Sequence, residues 1–181
     1  TRVNADGNIE KETQNFLLQS NSFSTSPWGT FDTSVTSGQS GYDGTNNAWL
    51  LDIASATGFQ TIRQEGLSVS GVQTFSVYAK AGTLNWMRVL TISTNTYFDI
   101  SNGVVGATDT SLGASIEDAG NGYYRCSIPL SHSNNTRVYI YPATGDNNVS
   151  HSSGNIYIQD AQLEQGLVAR DYIETTTSAV E

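Results

Sequence analysis

The sequence is poor in the groups that most often carry chemistry. It holds a single cysteine, Cys126, in 181 residues, so no internal disulfide can form. The thiol lies between Arg125 and Ser127 in a strand-like run and reads as a small core residue. A nucleophilic cysteine needs a base beside it. The two histidines, His132 and His151, fall in Ser/Asn-rich loops instead. Charged residues make up only 14%, and the balance is acidic, with a formal net charge of −9. Phosphate recognition needs a basic surface, so this balance argues against nucleic acid and against an anionic membrane as partners. No apolar run approaches the ~20 residues of a membrane-spanning helix. No signal-peptide pattern opens the chain, so localisation cannot be read from a targeting signal. Thr1 stands where an initiator Met would, as expected of a piece cut from a longer protein.

Catalytic motifs are missing too. The sequence contains no GxSxG elbow, P-loop, HExxH or CxxC. A retaining glycosidase needs two carboxylates about 5 Å apart, and no ExDxxE strand is present to set them on one face. Jelly-roll polysaccharide lyases carry an Arg/Glu/Arg run, a Gln-Ile-His run and a Tyr-Phe-Lys-Ala-Gly run. The nearest strings here are Thr61-Ile62-Arg63-Gln64-Glu65 and Tyr97-Phe98-Asp99, with no histidine on a strand to act as base. The expectation is a chain that is not an enzyme.

What is abundant is strand and turn material. There are 17 glycines and nine tyrosines among many Ser, Thr and Asn. Residues 1–14 are polar and read as a lead-in or linker, with a short hairpin about Asp6-Gly7. Residues 15–181 read as one domain, and 34–47 as a turn-rich loop. Strands are expected at 48–54, 59–65, 74–80, 86–93, 96–100, 115–118, 123–130, 137–142 and 156–163. No segment holds a 3.6-residue period for three turns, so almost no helix is expected. The fold class that follows is all-β, an antiparallel β-sandwich (jelly roll) of about eight to ten strands.

Alternation assigns faces. In 74–80, Phe75, Val77 and Ala79 oppose Ser76, Tyr78 and Lys80. In 123–130, Tyr124, Cys126, Ile128 and Leu130 oppose Tyr123, Arg125 and Ser127. In 137–142, Val138 and Ile140 oppose Arg137, Tyr139 and Tyr141. The parity of Arg88 stays open, because Trp86, Leu90 and Ile92 share it while Met87 and Val89 hold the other. Tyr78, Arg88, Tyr123, Arg125, Arg137, Tyr139 and Tyr141 are therefore candidate ligand-binding residues. Were their strands to lie in one sheet, rings would stack on sugars and guanidinium forks would bind hydroxyls or uronate carboxylates. The plain alternative is ordinary solvated residues divided between two outer faces. Trp49, next to Leu50 and Leu51, reads as core; Trp28, after Pro27, is open to either assignment.

Three stretches carry a resemblance. Gly58-Phe59-Gln60-Thr61-Ile62-Arg63-Gln64, leading into Thr74-Phe75-Ser76-Val77-Tyr78-Ala79-Lys80-Ala81-Gly82, resembles the middle of jelly-roll carbohydrate-binding modules that bind xylan and β-glucan. Asn15 to Phe23 resembles their opening strand, and Ile156 to Glu164 their closing strand. Tyr97 to Gly103, Ile116 to Cys126, Thr1 to Gly7 and Asp171 to Thr176 are similar to a subgroup found in phage tail and structural proteins. The resemblance implies a polysaccharide or cell-surface glycan as partner and an extracellular or virion location. It implies a module of a phage tail-associated or polysaccharide-degrading multidomain protein, with homo-oligomers formed through the parent. The alternative is a purely structural virion domain. It also implies a structural Ca²⁺ held by Asp160 with carbonyls near Ser22 or Ser24. The opening strand of those modules usually ends in Phe-Glu, and Phe23-Ser24 lacks that carboxylate; Asp160 as a turn cap is the other reading.

Overall fold

Alternation this regular, in so many short segments, should give sheets packed on one side. A computed structural model describes residues 2–3, 9–10, 14–55, 57–92, 94–132, 136–149 and 152–178. The turn at Asp6-Gly7 and His151 lie outside the described residues, while His132, expected in a loop, is the last residue of a strand and pairs with Gly71. Strands β1 (Arg2–Val3) and β2 (Ile9–Glu10) pair antiparallel, Arg2 against Glu10. Twelve further strands follow: β3 (Gly29–Phe31), β4 (Thr33–Gln39), β5 (Ala48–Ile53), β6 (Thr61–Leu67), β7 (Gly71–Ala81), β8 (Trp86–Thr91), β9 (Asn95–Asp99), β10 (Val104–Thr108), β11 (Ser115–Gly120), β12 (Tyr123–His132), β13 (Thr136–Ala143) and β14 (Asn155–Gln165). No helix occurs among the described residues.

The twelve form two six-stranded antiparallel sheets. Sheet 1 runs β10-β9-β8-β13-β6-β3 and sheet 2 runs β11-β12-β7-β14-β5-β4. From β5 to β8, and again from β12 to β14, every connection crosses between the sheets, which is jelly-roll winding. The core lies between them. Phe75, Val77 and Ala79 of β7 and Cys126, Ile128 and Leu130 of β12 face Met87 and Val89 of β8 and Val138 and Ile140 of β13, all at most 1% exposed. Each large aliphatic or aromatic side chain so enclosed contributes roughly 1.5–3 kcal/mol. The core places Met87 and Val89 inside, so Trp86, Arg88 and Leu90 face outward, which settles the parity of Arg88.

Three elements differ from expectation. Residues 33–39, expected within a loop, form β4, an edge strand whose polar side chains are mostly exposed. Residues 15–23 do not form an opening strand: only Asn15 makes a strand-like bridge, and Gln19 turns the chain with a φ of 51°. Side-chain amides replace a ladder there. Gln64 bonds both Leu18 N–H and Leu18 C=O, at 2.9 Å each. Buried Asn15 accepts from the N–H of Leu17 and Leu163 and donates to Ala161 and Ile173 carbonyls. The sandwich has twelve strands rather than eight to ten, because the short strands β3 and β10 and the polar β4 carry no apolar alternation.

Candidate functional site

Parity along a strand is local, whereas sheet membership depends on distant pairing. The seven candidate binding residues are divided accordingly. Arg88, Arg137, Tyr139 and Tyr141 stand on the outer face of sheet 1; Tyr78, Tyr123 and Arg125 stand on that of sheet 2. The single Arg/Tyr surface that would unite them does not form, because β8 and β13 pair with each other and not with β7 or β12.

The chain covers sheet 2 itself. Tyr42, in the loop after β4, stacks on Tyr78 with ring centroids 3.8 Å apart and planes 6° apart. Tyr123 donates its hydroxyl to the Ser40 carbonyl at 2.8 Å. Arg125 lies over Tyr78 and donates to Ser76 Oγ and to the Arg170 carbonyl of the tail. Thr74, Ser76, Gln159, Gln162 and Glu164 all face outward yet are at most 1% exposed. A cleft of about 230 Å³ is open beside Arg125, lined by Glu117, Ser127, Leu112 and Leu167.

Among the described residues, no loop or tail covers the outer face of sheet 1 in this way. Register sets Arg63 of β6 beside Tyr139, and Arg88 of β8 beside Tyr141 and Tyr97. The guanidiniums lie on the rings: Arg63 is 5.3 Å from both the Phe31 and Tyr139 centroids, and Arg137 is 5.2 Å from Tyr139. Arg88 is 4.7 Å from Tyr141 and 5.8 Å from Tyr97. Tyr97, Tyr139 and Tyr141 are thereby at most 9% exposed. Their ring faces are not free for sugars; the layer turned to solvent is guanidinium. Burial raises the Tyr139 and Tyr141 hydroxyls, with Glu65 adding to it at Tyr139, so both stay neutral donors at physiological pH. Tyr139 donates to Glu65, which also pairs with Arg63 at 3.7 Å. Accessible aromatic surface sits at the margins: Phe31 and Phe59 are 47% and 71% exposed, and Trp86 is half-buried. Alternation sets Arg63 on a strand, opposite Ile62, with the other strand arginines, while Tyr97, Trp86 and Phe31 are not among the candidates. The strand parity of Arg63 was legible; the neighbourhood was not.

The other aromatics are structural. Trp28 is 7% exposed and donates to the Gln19 carbonyl; Trp49 donates to the Asn21 carbonyl, and both pack on Phe23. Cys126 is buried in the core, and burial pushes its thiol up, away from the reactive thiolate.

Asp160 sits at a bulge in β14, with a φ of 51°. Its carboxylate accepts the Tyr42 hydroxyl at 2.9 Å, and its N–H donates to Asn21 Oδ1. Burial pushes its acid up to about 6, despite the Tyr42 hydrogen bond. The Ser22 carbonyl accepts from Thr25 N–H, and Ser24 is exposed. Calcium takes six to eight oxygens, with carboxylates prominent. Asp160 Oδ2 and the Ser22 carbonyl each accept from a protein donor, and no group of three or more His, Cys, Asp or Glu suited to a metal occurs among the described residues.

No protein-family profile matches the chain, and no curated protein does. Among solved structures, the chain is similar to the CBM22-1–GH10 modules of endo-1,4-beta-D-xylanase 10B of Clostridium thermocellum complexed with xylohexaose. That similarity has 16% identity and a TM-score of 0.49 over 89% of this chain. It is also similar to the exo-beta-1,3-galactanase of Phanerochaete chrysosporium with beta-1,3-galactotriose, at 12% identity and a TM-score of 0.35 over 81% of this chain. The chain spans 29% of the length of each.

Proposed function

We propose that the protein is a non-catalytic carbohydrate-binding module of an extracellular or virion multidomain protein, and that the outer face of sheet 1 is its binding face. One observation carries the reading: the guanidiniums of Arg63, Arg88 and Arg137 stand over tyrosine rings, 4.7 to 5.3 Å from the nearest centroid, across three neighbouring strands. A guanidinium stacked on a ring keeps its N–H edge free, and that rigid edge bonds paired oxygens, as vicinal hydroxyls and carboxylates present them. Phe31, Phe59 and Trp86 at the margins supply apolar surface for sugar faces. Placement on strands rather than loops holds the donors in fixed register. The test is a glycan array carrying neutral and acidic polysaccharides of cell walls, capsules and algae. Saturable binding to a defined glycan class is expected. Silence across the whole array would overturn the reading and leave a structural virion domain in its place.

A further inference from the structure

We propose that the glycan taken by sheet 1 is acidic, a polymer whose sugars carry carboxylates, as uronic acids do; this deepens the carbohydrate reading and rests on it. The argument begins with charge. The chain has eight Lys and Arg against 17 Asp and Glu. Three of those eight cations, Arg63, Arg88 and Arg137, nonetheless share one face, on the adjacent strands β6, β8 and β13. Strand spacing confines them to a band roughly 10 Å across, about one Debye length in physiological salt, so their charges act together.

Compensation within the protein is partial. Among the described residues, Glu65 pairs with Arg63, at 3.7 Å. Arg88 directs its Nε to the neutral amide oxygen of Asn95 at 2.6 Å. Arg137 has a buried Nε with no hydrogen-bond partner among the described residues. A buried donor without an acceptor is unusual in native proteins, and the same is found at Arg125 Nε on sheet 2; what sets Arg137 apart is its place beside two further arginines on one face. Asp99, across from Trp86, adds one anion at the margin of the face, with no ion pair to the three arginines among the described residues. Its carboxylate accepts from Ser101 and from Asn102, and although burial raises it, those hydrogen bonds hold it below the usual range.

A neutral sugar satisfies guanidinium donors but leaves their charge uncompensated. A carboxylate satisfies both, and its bidentate geometry matches the guanidinium fork. The tyrosine layer agrees with this: ring faces that would favour neutral sugars are already covered by the arginines. A protein of net charge −9 repels polyanions in general. Binding of one is therefore a property of this face rather than of the whole surface.

The test uses calorimetry on wild type, Arg88→Gln and Arg137→Gln, each shown by circular dichroism and melting to be folded. The probes are polygalacturonate, glucuronoxylan, alginate and hyaluronan, each beside its own carboxyl-reduced form. For at least one pair the acidic member is expected to bind at least about tenfold more tightly than the reduced one, with the gap shrinking in high salt. Each variant should close most of that gap, weakening the acidic polymer much more than the reduced one. Equal binding of acidic and reduced members overturns the acidic assignment and leaves the carbohydrate reading standing, and a gap that survives both substitutions overturns the assignment of the acidic site to sheet 1. No binding to any polymer, acidic or reduced, overturns both.

Discussion

Replacing Asp160 by Asn should stabilise the protein at neutral pH, and the size of the effect follows from where the carboxyl sits. Asp160 is 6% exposed, and burial holds its acid near 6 against 3.8 in an open chain. Below pH 3.8 the carboxyl is neutral in both the folded and unfolded states, so it adds no penalty. As pH rises from 3.8 to 6, the unfolded chain releases the proton first and folding loses ground. Above pH 6 the folded protein carries the full handicap of about 3 kcal/mol. Asn keeps an oxygen for the Tyr42 hydroxyl and tolerates the φ of 51°. At pH 8 the variant should therefore melt higher by on the order of 5–10 °C, the range expected for that energy in a domain of this size. Near pH 3.5 the two proteins should melt together. Scanning calorimetry across that range, in excess chelator and in excess Ca²⁺, gives the comparison. The reasoning is refuted if Asp160→Asn melts lower than wild type at pH 8. It is refuted equally if Ca²⁺ raises the wild-type melting temperature and the variant abolishes that rise, since an ion binding only the native state must stabilise it.

Two further substitutions probe the frame that holds the sheets. Asn15→Ala strands two N–H groups and two carbonyls at the junction of residues 15–17, β14 and the tail, and should lower stability by about 3–5 kcal/mol in a urea titration. A loss below about 1 kcal/mol would mean that water or relaxation replaces the amide. Gly103→Ala puts a Cβ 2.5 Å from the Tyr124 ring at a φ of 69°, so a loss of about 2–3 kcal/mol is expected from the same titration; an unchanged midpoint would show that the β9–β10 turn gives way freely.

Much of the sandwich was legible because one face of each central strand is apolar. β7, β8, β12, β13 and β14 bury their alternating residues against the opposite sheet, and the sequence shows that period directly. β4 lacks it: Thr33–Gln39 lies at a sheet edge with mostly exposed side chains, so polar composition resembles a loop. The irregular course of residues 15–23 was hidden for the opposite reason. Phe16, Leu17 and Leu18 look like a strand, but after the one backbone bond from Phe16 to Leu163 the groups of Leu17 and Leu18 are met by Asn15, Gln64 and Thr175 side chains, the last two of which only the fold brings close. The binding face shows the same limit. Alternation turned Arg125, Arg137, Tyr139 and Tyr141 outward, yet only long-range pairing decides that Arg125 belongs to the covered sheet. The same pairing sets Arg63, 74 residues or more before its β13 neighbours, beside Tyr139. The stacking of arginine on tyrosine, which replaces open rings with guanidinium edges, has no signature in sequence order at all.

The central claim is that ligand meets sheet 1 and not sheet 2, and native gels cast with a polysaccharide that retards the wild type test it most directly. Arg88→Ala, Arg137→Ala and Arg125→Ala are run side by side, each confirmed to be folded. Loss of retardation by the first two, about tenfold weaker each, with Arg125→Ala migrating like wild type, is the predicted result. Loss of retardation by Arg125→Ala alone would contradict the account and move the site to the cleft beside the tail.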